Sequence, residues 1–210
     1  MQHSNLVGLA GARVRLGSNI AFAVHDSFAA RTSFPVPNLM PRTPRDTSKG
    51  TFIVEWPLFG ELSRALALKV ARNYEPDLVL GVAPAGVIPG ATVAAILDRE
   101  FYSIIVSRRY RAEHVRATPA VLGRAPQEVR DQRVLVVDET CESGDTLRLA
   151  VAAAVNAGAR EVRTAVSFKT GTHEPDFYAL ATESVIVLPW DREVLVDGEL
   201  RPNPKYSDAT

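Results

Sequence analysis

The sequence predicts an α/β fold: a single domain on a mainly parallel five-stranded sheet with helices on both faces. Three observations carry this. Apolar runs of strand length recur at Asp77–Val82, Tyr102–Ser107, Arg133–Val137, Glu161–Phe168 and Ser184–Leu188. Helical spacing of apolar residues falls between several of them. The run Asp77–Val82 is a short apolar run of buried-strand type, as expected for a strand of a mainly parallel sheet covered on both faces. Strands that alternate with helices build right-handed βαβ units, and 210 residues are enough for one full core.

Taken in order, residues 1–50 read as an N-terminal extension. Arg13–Leu16 and Ile20–His25 could pair across Gly17-Ser18-Asn19 as a hairpin, and Pro35, Pro37, Pro41 and Pro44 mark an irregular segment. Residues 51–210 form the main domain. Pro57 suits a first helical turn, and Leu58, Leu62, Ala65, Leu66 and Val70 give that helix its apolar face. The run Asp77–Val82 is followed by a turn at Ala83–Gly86 and a helix near Val87–Leu97. Arg108–Gln132 is polar, Arg-rich and broken by Pro119 and Pro126, which predicts a long loop. After the strand at Arg133–Val137, the residues Leu147, Ala150, Val151, Ala154 and Val155 predict a helix closed by Gly158. Asp197-Gly198 predicts a tight hairpin turn near the end of the chain.

Composition narrows the function. The formal net charge is zero, which gives no global field for nucleic acid. No apolar run is long enough to span a membrane, and the N-terminus lacks a signal-peptide pattern. The single cysteine, Cys141, cannot form an internal disulfide, so a reducing cytoplasm is expected. The four histidines are scattered without metal-ligand spacing.

The chemistry concentrates in Val134–Leu147, VLVVDETCESGDTL. A buried strand ends in two acids, Asp138 and Glu139, and a small polar loop then opens a helix. Backbone amides at a helix N-terminus hold phosphate, and the acids could hold ribose hydroxyls or a Mg²⁺ through water. A helix cap on a solvated strand end is the plain alternative. The run VLVVDE would also serve as a Walker B strand, but no G-x-x-x-x-G-K-[ST] loop accompanies it.

The stretch Asp138–Thr146 resembles the phosphoribosyl-diphosphate (PRPP) signature of type I phosphoribosyltransferases, closest to the xanthine, hypoxanthine and guanine enzymes. Leu80–Pro89 is similar to that family's diphosphate loop, Val106–Tyr110 to the start of its lid, and Ser184–Asp191 to its base-covering segment. The resemblance covers about Trp56–Asp191 and adds a small hood to the expected fold. It implies Mg²⁺-dependent transfer of the phosphoribosyl group from PRPP to a nucleobase, in a homodimer or larger homo-oligomer. It also implies site roles. Asp138 and Glu139 would hold ribose and metal. Cys141, Glu142, Ser143, Gly144, Asp145 and Thr146 would hold the 5′-phosphate, with Glu142 as general acid/base. Ala83, Pro84, Ala85, Gly86, Arg108 and Arg109 would take the diphosphate. Lys169, Val185 and Ile186 would meet an oxopurine base.

Departures from the pattern matter as well. Pro84 and Ala85 stand where the family often has a cation and a glycine, and Val185 stands where related enzymes have a stacking aromatic. The family often has a cis peptide in the diphosphate loop. Before proline a cis bond costs only about 0.5–1 kcal/mol, so Ala83–Pro84 is expected to be cis. Trp190 is expected to pack in the core, and Cys141 to be a small buried filler. Two other functions stay open: a PRPP-binding regulator on the same fold, and a transferase for a pyrimidine or another pathway-specific base.

Overall fold

The computed structural model describes residues 48–110 and 114–206. The expected N-terminal hairpin and proline-rich segment lie outside the described residues. The chain begins with β1 (Thr51–Ile53) and α1 (Trp56–Asn73), followed by β2 (Leu78–Ala83) and α2 (Val87–Leu97). Next come β3 (Glu100–Tyr110), β4 (His114–Val121), a 3-10 turn at Gln127–Val129, β5 (Arg133–Cys141) and α3 (Asp145–Asn156). Then follow β6 (Glu161–Lys169), β7 (Phe177–Ala181), β8 (Val185–Val187), β9 (Glu193–Val196), β10 (Glu199–Pro202) and a 3-10 turn at Pro204–Tyr206.

The main sheet runs β4-β3-β2-β5-β6-β7. All its pairings are parallel except β3 with β4. The chain passes from β2 to β3 on one side and returns to β5 on the other. The switch point therefore lies between β2 and β5, where open α/β sheets bind ligands at their strand ends. Alternate residues of β5 enter opposite cores. Val134 and Val136 pack with Leu147 and Ala150 of α3, while Leu135 and Val137 pack with Leu66 and Val70 of α1 and Val93 of α2. This two-sided burial is why VLVV has no polar alternation. Among the described residues, no helix is long and apolar enough to cross a membrane.

The structure differs from the sequence expectation in three places. The sheet has six strands instead of five, because β7 adds one edge beyond β6 and β4 adds the other beyond β3. The run expected to be the fifth strand, Ser184–Leu188, instead contributes β8 to a separate two-stranded parallel sheet with β1. The expected loop Arg108–Gln132 is partly strand: β3 continues to Tyr110 and β4 pairs back on it. Polar residues hide such a ribbon from a hydropathy reading, and Pro119 is tolerated because β4 is an edge strand. The expected turn at Asp197-Gly198 joins β9 to β10, with φ of 51° and 82° at its two residues.

One polar clamp ties the amino ends of the strands together. Asp77 accepts from the Arg133 amide at 2.7 Å, from the Arg133 guanidinium at 2.9 Å and from Arg160 at 3.1 Å. The Arg133 bonds hold the Asp77 carboxyl below the usual carboxylate range. A depressed carboxylate pKa adds stability above the unfolded-chain value, and that stability is lost as pH falls through the folded one. We expect Asp77→Ala to cost about 1–3 kcal/mol in urea unfolding at neutral pH. The difference from wild type should shrink once the pH falls below about 4.

Candidate active site at the carboxyl ends of β2, β5 and β6

Burial of the β5 strand carries its first acid into the protein. Asp138 is 7% exposed. Removal from water pushes its carboxyl up to about 8, partly offset by the Glu139 amide, which donates to Oδ1 at 2.8 Å. Glu139 is half-buried beside it, and Cys141 is buried against the α3 core, where burial pushes its thiol up. That is an inert filler and not a nucleophile.

Beyond Cys141 the loop turns outward. Glu142 and Ser143 are exposed, and Gly144 caps α3 with φ +78°. A Cβ at Gly144 would lie 2.4 Å from Cγ of His173, so both the left-handed conformation and the crowding require glycine. Ser143 Oγ donates to Asp145 at 2.9 Å, and Arg148 donates to the Ser143 carbonyl at 3.0 Å while pairing with Asp145.

The Ala83–Gly86 turn meets this loop from β2. Ala83–Pro84 is cis, as expected. Gly86 is buried, and a Cβ on it would approach Val137 O to 2.6 Å and Asp138 Cα to 2.8 Å. The diphosphate-like turn therefore rests directly on the strand that carries the acids. Across β5 on its other side, the register places Lys169 opposite Cys141. Lys169 pairs with Glu174, which favours its charged form, and its Nζ lies 5.8 Å from the Tyr178 ring.

With this arrangement of strand, acids and helix N-terminus in place, the comparison with known proteins is decisive. A family model described as "Phosphoribosyl transferase domain" matches residues 51–196. The chain belongs to this family. It is 35% identical over 101 residues to an adenine phosphoribosyltransferase of Nocardia farcinica, covering 44% of this chain and 52% of that protein. It is 32% identical over 107 residues to a ribose-phosphate pyrophosphokinase of Maricaulis maris, covering 50% of this chain and 33% of that one. The match thus spans about half or less of these curated relatives. A crystal structure of a purine phosphoribosyltransferase from Pyrococcus horikoshii has a TM-score of 0.60 and 28% identity, covering 70% of this chain and 98% of that one.

This phosphoribosyl transferase domain brings together most of the residues singled out from sequence. Asp138, Glu139, Cys141–Thr146, Ala83–Gly86 and Lys169 share one end of the sheet. Others lie elsewhere. Arg108 and Arg109 stand on the β3–β4 ribbon and not on a loop. Ile186 is buried against Val54, Phe168 and Leu188, and Val185 packs with Val187 and Tyr206. Both side chains are used in packing. Trp190 lies 4.9 Å from Phe59 and 5.7 Å from Trp56, a core role as expected. The sequence reading missed the segment Thr170–Glu174, which touches the phosphate-type loop; its one sequence signal is Gly171 between two threonines.

The raised Asp138 pKa fixes a sign. The folded state holds this proton more tightly than the unfolded chain, so stability falls as pH rises from about 4 towards 8. We expect Asp138→Asn, without divalent cations, to raise the melting temperature by several degrees near pH 8 and by almost nothing below pH 4. Equal melting shifts at both pH values would contradict a buried, uncompensated carboxyl.

Proposed function

We propose that this chain transfers the 5-phosphoribosyl group of PRPP to an oxopurine, either hypoxanthine, guanine or xanthine, and releases diphosphate. The observation that carries the reading is β5 ending in Asp138-Glu139 and continuing through a glycine-capped loop into α3. In the reaction, a base nitrogen bonds to the anomeric carbon as its bond to the diphosphate oxygen breaks, and the base gives up a proton. The amides of Ser143–Thr146 and the positive end of α3 hold the 5′-phosphate. Asp138 and Glu139 sit beside the ribose, near the developing positive charge. Glu142, an exposed carboxylate at the mouth of the loop, takes the proton. Lys169 faces the exocyclic oxygen of the base. Since Val185 and Ile186 are packed away, the base meets the unpaired edge of β8, which pairs only with β1 among the described residues.

The donor set fits a magnesium ion carried in with substrate. Among the described residues, no group of three or more His, Cys, Asp or Glu could hold a metal alone. Mg²⁺ commonly binds through one or two carboxylates plus substrate oxygens, and Asp138 and Glu139 provide those carboxylates. When bound, it supplies positive charge to the leaving diphosphate. Arg108 and Arg109 are assigned to the same diphosphate. A homo-oligomer working in cytoplasmic purine salvage completes the reading.

Two observations support other readings. Identity to an adenine enzyme supports a different purine acceptor. A diphosphate turn without a cation, Ala83-Pro84-Ala85-Gly86, supports a PRPP-binding regulator. Diphosphate release against a panel of bases separates the three. We expect turnover with an oxopurine in the presence of Mg²⁺. Glu142→Gln should lower kcat on the order of 100-fold. Lys169→Met should raise KM for the base about tenfold while changing KM for PRPP far less. PRPP binding without turnover of any base would favour the regulator.

A further inference from the structure

We propose that His173 is a positioning residue that locks the phosphate loop in its binding conformation and ties it to the base-side lysine. The inference rests on the transferase reading above. It starts from a gap in the capping of α3. Helices usually begin with a Ser, Thr, Asp or Asn whose side chain bonds an early amide. Gly144, at the cap position, has no side chain to offer, and the one side-chain bond to an early amide is a long one, from Asp145 N to Ser143 Oγ at 3.4 Å. A glycine at φ +78° is also the position in the loop with the most conformational freedom. A loop that must present several amides to one phosphate needs that freedom removed beforehand.

The imidazole of His173 removes it from outside. Its Cγ, Cδ2 and Nδ1 occupy the space where a Gly144 side chain would project, 2.4 to 2.6 Å from an added Cβ. The backbone around it is pinned to the same loop. Thr170 N donates to Cys141 O at 2.8 Å, and His173 N donates to Glu142 O at 3.3 Å. Gly171 sits so close that a Cβ would come within 2.4 Å of Glu142 O. Two successive carbonyls of the loop are thereby held, and the amides that follow them are set in place. The same short segment begins at Lys169, whose carbonyl accepts from Thr182 N at 2.9 Å, and ends at Glu174, which pairs with the Lys169 ammonium. The phosphate half and the base half of the site are therefore joined through residues 169–174, with the histidine ring as the contact on Gly144.

The role is one of shape, so a flat ring without nitrogen should preserve it. The test is calorimetric titration of the full chain with PRPP and Mg²⁺, alongside steady-state kinetics and thermal melting. We expect His173→Ala to weaken PRPP binding about tenfold, with the loss appearing in KM for PRPP and not in kcat. His173→Phe should restore affinity to within about threefold of wild type. His173→Gln, which keeps bulk without a ring, should resemble the alanine variant and serves where that variant does not fold. Wild-type affinity in His173→Ala overturns the proposal, as does a His173→Phe variant as weak as alanine. Wild-type protein that binds no PRPP overturns the parent reading, a result distinct from either.

Discussion

The contact between Gly86 and the backbone of β5 at Val137–Asp138 is the constraint on which the rest of the site depends. On the proposed function, two loops that arise about 55 residues apart in sequence would present groups to one ligand. They can do so only if the turn after β2 lies flat on the strand that carries the acids. The neighbouring pairing of β2 and β5 brings their carboxyl ends side by side. The absence of a side chain at Gly86 then lets the turn settle to van der Waals distance. Any residue larger than glycine would lift the turn away from Asp138, because the crowding atoms are backbone and cannot rotate aside.

That close fit also explains the electrostatics. Covering the end of β5 takes Asp138 out of water, and a carboxylate without solvent or a cation is disfavoured. The protein therefore holds an acid poised between its two charge states near neutral pH, with Glu139 next to it in a wetter position. An arrangement that weakens the empty fold and is relieved by a positively charged occupant is typical of functional sites.

The sequence made some of this legible and not the rest, for physical reasons. The β5–α3 unit was readable because burial on both faces forces an unbroken apolar run, and a phosphate-type loop needs small residues next to it. The β2 turn was readable from Pro84 and Gly86. By contrast, β7 is an edge strand of partly buried residues with a weak pattern, and the β3–β4 ribbon is polar. Val185 and Ile186 looked like a pocket wall because apolar residues near a site satisfy either a ligand or a core; Phe168 and Tyr206 decided for the core. His173 was illegible because its partner, Gly144, lies 29 residues back, and nothing local distinguishes it from a surface histidine.

The charge of the site sharpens how it can work. From Asp138 to Asp145 the chain carries four acids, Asp138, Glu139, Glu142 and Asp145, and no base. The turn at Ala83–Gly86 has no cation either. Two like charges 4 Å apart repel by roughly 4 kcal/mol at the dielectric typical of a protein surface, so a bare polyphosphate would be turned away. Three features reduce that repulsion. Burial pushes the Asp138 carboxyl up, Asp145 is paired with Arg148, and on the proposed function the 5′-phosphate would meet amides at a helix start instead of side chains. What they cannot do is attract the diphosphate end. On the proposed function, its counter-charge would come from outside this segment, either with the substrate or from the β3–β4 ribbon. On the proposed function, the number of carboxylates would favour a substrate that already carries a divalent cation.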